Sequence, residues 1–299
     1  MLALICGRGH LPGAVASAQD VPPLICALEG QEPAGLVPDI VFRLETLGSL
    51  LLDLGERGVR EVCFCGAIAR PVLDPTQLDD ETKPLVPLFQ EALALGDDGA
   101  LRIVISIFEQ TGFVIKAAHE LDPGMIPVEG VLTKRAPREG HKTDAALGPK
   151  VIAQMGETDL GQACVIRKGR ILAREDDAGT DAMIARFAVP YDRPSSDDPL
   201  EWAFNQVGAL AKDAINWLAR LAEDTHDAPG AGAILYKAPK PKQDRRADLP
   251  VIGPGTAIRA AEAGFDGIVI EAGGVMVLDR VQVIQILDAM NMFLWVRGA

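Results

Sequence analysis

A chain of 299 residues exceeds what one hydrophobic core usually serves, so two domains are expected. Hydrophobic residues at 48% and charged residues at 24% exclude a disordered chain. A formal net charge of −13 excludes general binding to nucleic acid or to an anionic lipid surface, though not one local basic site.

Aromatic residues make up 5%, so aliphatic side chains must fill the core, as they do in buried parallel strands. Leu2 to Cys6 reads as such a strand, followed by a turn at Gly7-Arg8-Gly9-His10 and a helix from Leu11 with Pro12 in its first turn. Pro23 to Glu29 is a second strand. Glu45 to Arg57 carries a leucine stripe at helical spacing (Leu47, Leu50, Leu51, Leu54), and Val59 to Cys65 returns to strand. Asp98 to Gln110 is the clearest amphipathic helix of this half, with Gly112 to Ile115 as the strand behind it. Strand, loop and helix in repeated order predict an α/β fold with a Rossmann-like, doubly wound parallel sheet.

The composition shifts near Thr133. Residues 134–142 are polar and contain Pro137 and Gly140, which predicts a linker or hinge between an N-terminal domain at 1–133 and a distinct C-terminal α/β domain at 143–299. In the second half, Asp144 to Met155 is expected to be helical. Gln162 to Arg167 and Arg170 to Ala173 form a hairpin turning at Lys168-Gly169, ahead of a helix at Ala182 to Ala188. A surface loop at Pro190 to Pro199 precedes a helix at Glu201 to Leu221, a strand at Ile234 to Lys237, a helix at Gly255 to Ala263, a strand at Gly267 to Glu271 and a closing helix at Arg280 to Met290. No internal repeat is visible.

Five cysteines (Cys6, Cys26, Cys63, Cys65, Cys164) are an odd number set mostly in apolar runs, the pattern of reduced, buried thiols in a cytosolic protein. Cys63-Phe64-Cys65 lies in a predicted strand without a second pair or a nearby histidine, which argues against a metal site. No secretory signal is visible, and Leu2 to Cys6 falls far short of the ~20 apolar residues that span a bilayer, so a soluble cytoplasmic protein is expected.

Gly7-Arg8-Gly9 after a first strand invites a dinucleotide reading, and Glu29 lies where a ribose-binding acid belongs. Pro12 stands where that fingerprint needs a small residue, and Gly13 comes one place late. Three readings stay open: a tight strand-to-helix turn, a nucleotide or phosphate site on free amides at Gly9, His10 and Leu11, and a true NAD site.

The strongest chemical signal runs from Lys237 to Pro250. Lys237, Lys240, Lys242, Arg245 and Arg246 crowd into a proline-stiffened loop of an acidic chain, a composition suited to gripping phosphate or pyrophosphate. Asp244 and Asp248 sit among these cations and stay ionised, fit to ligate a metal or orient water, while Gln243 adds a neutral hydrogen-bonding group. The competing reading is a solvated loop whose charges pair with one another or with acidic surface elsewhere. A second acidic stretch runs from Glu175 to Asp181, where Thr180 or Asp181 could cap a helix and Gly179 would let a ligand oxygen approach backbone amides.

These stretches together resemble the LpxI-type UDP-2,3-diacylglucosamine pyrophosphatases over nearly the whole chain. The resemblance rests on Gly7 to Pro12, Gly66 to Pro71, Asp97-Asp98 with Leu101, Pro127 to Thr133, Gly161-Gln162, Gly179 to Met183, Lys240 to Arg246 with Asp248 to Pro250, and Ile252 to Pro254. The most specific block is Lys240-Pro241 followed by Gln243-Asp244 and Arg246. It implies Mg²⁺-dependent hydrolysis of UDP-2,3-diacylglucosamine to lipid X and UMP. It also implies a substrate held between the two domains at the inner face of the cytoplasmic membrane, touched peripherally through the lipid. A homodimer is compatible with such an enzyme, although no heptad or exposed apolar stripe carries it.

On that resemblance Asp244 is the first choice for the essential carboxylate, with Asp181 and Asp248 as further metal candidates. Lys237, Lys240, Arg245 and Arg246 would hold phosphate oxygens. Gly9 to Leu11 and the turn from Gly66 to Arg70 would meet the uridine-diphosphate or sugar end. Three departures stand out. Ala178 replaces the glutamate usual before Gly179, leaving Glu175, Asp176 and Asp177 as the available carboxylates; Lys242 replaces a glycine; and Glu201 to Leu221 is added length. The rival readings are a nucleotide-sugar or acyl-lipid binding protein without turnover and an NAD-linked oxidoreductase, against which Pro12 speaks.

Overall fold

The computed structural model describes residues 1–69, 72–188, 225, 227–241 and 243–298. The loop expected at Pro190 to Pro199 and the helix expected at Glu201 to Leu221 lie outside the described residues. The chain forms two compact units, one of residues 1–124 with 243–249, the other of residues 125–242 with 250–299. The break therefore falls at Gly124/Met125, and 134–142 lies inside the second unit. Arg135 there donates to the Asn291 carbonyl at 2.6 Å, and His141, buried, shares a 2.8 Å hydrogen bond with Asp266. Proline and glycine punctuate this stretch without freeing it, because its polar side chains find partners in the C-terminal helix-and-strand region.

The first unit is built on strands β1 (Leu2–Cys6), β2 (Leu24–Leu28), β3 (Ile40–Phe42), β4 (Glu61–Cys65) and β5 (Val114–Ile115). They form one wholly parallel sheet in the order β3-β2-β1-β4-β5. Connections after β1 run one way and the chain returns past β1 to reach β4, so the winding reverses between β1 and β4. Helices α1 (Leu11–Ser17), α2 (Leu47–Glu56), α3 (Val86–Leu93), α4 (Asp97–Gln110) and the short α5 (Ala118–Leu121) accompany it. The leucine stripe of α2 packs with Ala3, Ile5, Cys26, Leu28, Val62 and Phe64 on one face of the sheet, where Phe108 of α4 meets the Phe64 ring edge-on at 5.0 Å. Glu45, expected in the α2 helix, instead sits in a 3-10 turn at Leu44–Thr46, its buried carboxylate accepting from the Asp74 amide at 2.8 Å. All five cysteines are buried free thiols; burial pushes Cys26 and Cys164 each up to about 12, so neither is a nucleophile near neutral pH.

The second unit carries a six-stranded mixed sheet in the order β6-β13-β11-β9-β7-β8, from β6 (Gly130–Val131), β7 (Ala163–Arg167), β8 (Arg170–Arg174), β9 (Ile234–Lys237), β11 (Gly267–Glu271) and β13 (Phe293–Arg297). A short parallel pair, β10 (Val251–Ile252) with β12 (Met276–Val277), lies apart from it. β9, β11 and β13 run parallel, whereas β6 joins β13 and β7 joins β9 antiparallel. The helix expected from Asp144 to Met155 is two, α6 (Glu139–Ala145) and α7 (Gly148–Glu157), because Pro149 can enter only a first turn. Asp144, buried in α6, accepts from the Lys168 amide at 2.9 Å and the Gly169 amide at 2.6 Å. It thereby fastens the hairpin turn, where both residues take positive φ. Helices α8 (Gly179–Ala185), α9 (Pro254–Glu262) and α10 (Arg280–Ala289) complete the described elements, and Met183, Ile258, Ile286 and Leu287 enter this unit's core. Strand β13 is an element the sequence reading missed, although Asn291 (φ 50°) marks the turn ahead of it; its Phe293 is fully buried against Gly267, where a Cβ would lie 2.5 Å from the ring.

Phe108→Ala removes a fully buried ring from the first unit's core and is expected to cost about 3–5 kcal/mol, read as a lowered urea midpoint for that unit's unfolding. A midpoint unchanged from the parent would contradict the packing described.

Candidate functional site

In the first unit the carboxyl edge of the sheet carries three loops, those following β1, β2 and β4. Gly7 and Gly66 let the first and third meet: a Cβ on Gly7 would lie 2.4 Å from the Ala67 carbonyl oxygen, and one on Gly66 would lie 2.5 Å from that of Gly7. Arg8 and Ala67 exchange backbone hydrogen bonds at 2.8 and 2.9 Å. The loop after β2 is tied to both neighbours, the Ala34 amide donating to the Gly9 carbonyl at 3.1 Å and the Ala69 amide to Gln31 Oε1 at 3.2 Å. Gly9 (φ 97°) and His10 are exposed at this edge, Leu11 opens α1 half-buried, and Arg70 lies outside the described residues. The winding reversal between β1 and β4 is where open α/β sheets bind ligands.

Residues 243–249 also belong to the first unit. Asp244 and Arg246 form a forked ion pair, Arg246 Nε donating to Oδ1 at 3.0 Å and a terminal nitrogen to Oδ2 at 2.8 Å, with the Arg246 amide on Oδ1 at 3.1 Å. The other terminal nitrogen of Arg246 reaches Glu109 of α4 at 2.6 Å. The guanidinium beside it, against the opposing effect of partial burial, holds the Asp244 carboxyl below the usual carboxylate range. Arg246 is held correspondingly more basic by Asp244 and Glu109. Asp248 accepts a short hydrogen bond from the buried Gln243 amide, and Arg245 is exposed. Ala247 packs on the first unit's core, so apolar contact as well as charge anchors the segment.

In the second unit the carboxyl end of β9 is the polar centre. Lys237 is its last residue, paired in register with Ala163 at the start of β7. Its ammonium is buried and donates to Thr180 Oγ1 at 2.8 Å; Thr180 in turn donates to Glu175 Oε1 at 2.5 Å. Glu175 Oε2 accepts from the Gln162 amide at 2.7 Å. One hydroxyl thus accepts from a cation and donates to an anion, its natural pair of roles. Lys240, buried too, forms an ion pair with Asp159 at 2.6 Å, and Asp159 holds φ 55° at the end of α7. Of the three acids available around Ala178, Glu175 is the one joined to Thr180. Asp176 instead pairs with Arg186 at 2.5 Å, and Asp177 is exposed.

One sequence expectation changes here. Neither Thr180 nor Asp181 caps α8, which starts at Gly179 (φ 85°) after Ala178 with no side-chain cap; Thr180 is turned to Lys237 instead. Asp181 is exposed and 3.4 Å from Arg259, remote in role from the buried Lys237 chain. The basic segment is partly buried, with Lys237, Lys240 and Gln243 out of water and Arg245 exposed, and its charges pair as the competing reading expected, Arg246 with Asp244 and Glu109 and Lys240 with Asp159. Sequence reading missed Asp159, Glu109 and the role of Gln162. Asp159 lies 81 residues from Lys240 and Glu109 lies 137 from Arg246, and no local pattern announces such pairs.

Among the described residues, no three His, Cys, Asp or Glu side chains gather as a metal cage. Mg²⁺ rarely needs one, since one or two carboxylates complete its shell with water and substrate phosphates. Asp244 and Asp248 are the carboxylates of the basic segment, with both Asp244 oxygens held by Arg246. They sit one turn apart, the Asp248 amide donating to the Asp244 carbonyl at 3.0 Å, and Asp244 keeps its charge.

Fold and side chains together define a two-domain α/β protein, with one Rossmann-like unit and one mixed-sheet unit that carries a buried cation chain. The LpxI N-terminal domain model matches residues 1–125, and the LpxI C-terminal domain model matches residues 128–196 and 210–295. The chain belongs to the LpxI family. It is 33% identical over 304 residues to the UDP-2,3-diacylglucosamine pyrophosphatase LpxI of Caulobacter vibrioides, covering 98% of this chain and 95% of the relative. The C-terminal match is interrupted between 196 and 210, overlapping the stretch read as added length.

Replacing Arg246 with Ala is expected to raise the Asp244 pKa, read by carboxyl carbon NMR titration. A carboxyl held down in the folded state adds stability above its unfolded pKa and loses it as pH falls through the folded value. The stability gap between parent and Arg246→Ala should therefore narrow on acidification below about pH 4. An unmoved Asp244 titration would show that the pair does not set its charge.

Proposed function

We propose that this protein hydrolyses the pyrophosphate bond of UDP-2,3-diacylglucosamine, giving 2,3-diacylglucosamine 1-phosphate (lipid X) and UMP. The observation that carries the reading is near-full-length similarity to a relative bearing that name, joined to residues whose chemistry suits a phosphate anhydride. Asp244 remains the essential carboxylate of this reading. A group held below the usual carboxylate range is a poor proton acceptor near neutral pH, so its task is to present fixed negative charge to a cation. Mg²⁺ bound through Asp244, with Asp248 as a second ligand, would neutralise pyrophosphate oxygens and favour attack by water.

The chain's own cations do the rest. Arg246 is already oriented by Asp244 and Glu109, and its planar fork suits phosphate oxygens. Arg245 extends from the same exposed turn. In the second unit, Lys237 is oriented through Thr180, and Gly179 leaves the adjoining backbone open to a ligand oxygen. Lys240 is committed to Asp159, so its part is to fix the loop's course at Pro239–Pro241 and to offer charge at short range. The exposed backbone at Gly9 and His10, with half-buried Leu11 and Gly66 next to it, serves the nucleotide or sugar end.

A diacylated substrate resides in a lipid surface, which places the reaction at the inner face of the cytoplasmic membrane by transient contact. Among the described residues no helix is long and apolar enough to cross a membrane. A homodimer belongs to the same proposal and is read by light scattering.

UMP release from UDP-2,3-diacylglucosamine with Mg²⁺ is the direct test. The parent is expected to turn over, Asp244→Ala to lose at least about a hundredfold in kcat, in keeping with the loss of a transition-state charge stabiliser, and EDTA to abolish activity until Mg²⁺ is restored. A folded parent that binds but never cleaves would favour the nucleotide-sugar binding protein. Arg245→Ala is expected to raise KM with kcat little changed; unchanged kinetics would remove it from the phosphate grip.

A further inference from the structure

Glu29 is an acid that the reaction as proposed leaves without a task. It is the first residue past β2, and its amide is fixed by a 2.8 Å hydrogen bond to the Phe42 carbonyl of β3. The register of β2 on β1 pairs Cys6 with Ala27, so Glu29 begins the loop at the same sheet edge as the loop that follows β1. Its side chain is 64% exposed. Arg43 stands 3.7 Å away but makes its closer contact, 3.3 Å, with the buried Glu45, so Glu29 is a loose second partner. The loop that begins at Glu29 is the one tied to both Gly9 and Ala69, beside the winding reversal.

We propose that Glu29 binds the ribose of the uridine nucleotide, its two carboxylate oxygens accepting from the 2′- and 3′-hydroxyls. This assignment rests on the reading that a uridine nucleotide is the substrate's leaving half, and it gives the nucleotide rather than the sugar to the first unit's carboxyl edge. A vicinal diol presents two donors to an acceptor-only group with two oxygens, a match that neutral side chains meet less well. Dinucleotide-binding doubly wound folds use an acid about twenty residues past the glycine turn in this way, on a ribose hydroxyl. The departure at Pro12 spoils the close helix approach that a dinucleotide needs, but it leaves the ribose position untouched, so a mononucleotide fits where NAD does not. An exposed carboxylate left merely to pair with Arg43 would contribute little, and its removal would be silent towards any sugar.

The test is a ligand-observed NMR titration of the full chain with UMP and with 2′-deoxy-UMP, for the parent, Glu29→Ala and Glu29→Gln. The parent is expected to bind UMP about tenfold more tightly than 2′-deoxy-UMP, the worth of one hydrogen bond to a charged group. In Glu29→Ala that ratio should fall to near one through weaker UMP binding alone, with Glu29→Gln in between. Equal discrimination in parent and Glu29→Ala overturns the assignment, as does a parent that ignores the 2′-hydroxyl or fails to bind UMP. Because binding is read without turnover, the outcome is separable from the proposed reaction. Failure to release UMP from the diacyl substrate would sink the reaction while ribose discrimination still decided the role of Glu29.

Discussion

Lys237 and Lys240 carry their ammonium groups out of water, and a buried charge is tolerated only where partners replace its hydration. That requirement organises the second unit's polar edge. Thr180 must turn from helix capping to Lys237, Glu175 must stand behind Thr180, and Gln162 must lend its amide to Glu175. Asp159 accepts a left-handed backbone while meeting Lys240, a local cost of the kind found at functional sites. The chain of contacts ties the end of β9 to the start of β7 and to the head of α8, so one cation sets the mutual position of three elements.

The segment from Gln243 to Leu249 follows the same logic with different partners. Arg246 is only part-buried, and exposed ion pairs add little stability, so its fork onto Asp244 and its reach to Glu109 matter mainly for orientation. Ala247 on the first unit's core supplies the apolar anchor. The guanidinium keeps the Asp244 carboxyl below the usual carboxylate range, so near neutral pH it stands as a fixed negative charge rather than a proton acceptor.

In the first unit the governing constraint is steric rather than electrostatic. Gly7 and Gly66 stand where any side chain would strike the opposite loop's carbonyl, and their absence of Cβ lets the β1 and β4 loops pair beyond their strands. The three tied loops then present Gly9, His10 and Glu29 from a rigid sheet edge, the usual way a doubly wound fold displays polar groups to a ligand.

Much of this architecture was legible along the chain. Hydrophobic period and glycine turns located β1, β4, β9, β11, the hairpin of β7 and β8, and helices α2, α4, α9 and α10, because each of those signals is local: a stripe, an alternation, a turn. The residue types of the basic segment marked its chemistry for the same reason. Tertiary structure alone decided that 134–142 is packed into the second unit and that 243–249 leaves that unit for the first. It alone paired Lys240 with Asp159, Arg246 with Glu109 and Lys237 with Thr180. These outcomes depend on charges and apolar atoms far apart in the chain finding one another in a low-dielectric setting, and no spacing rule in a linear sequence encodes that meeting.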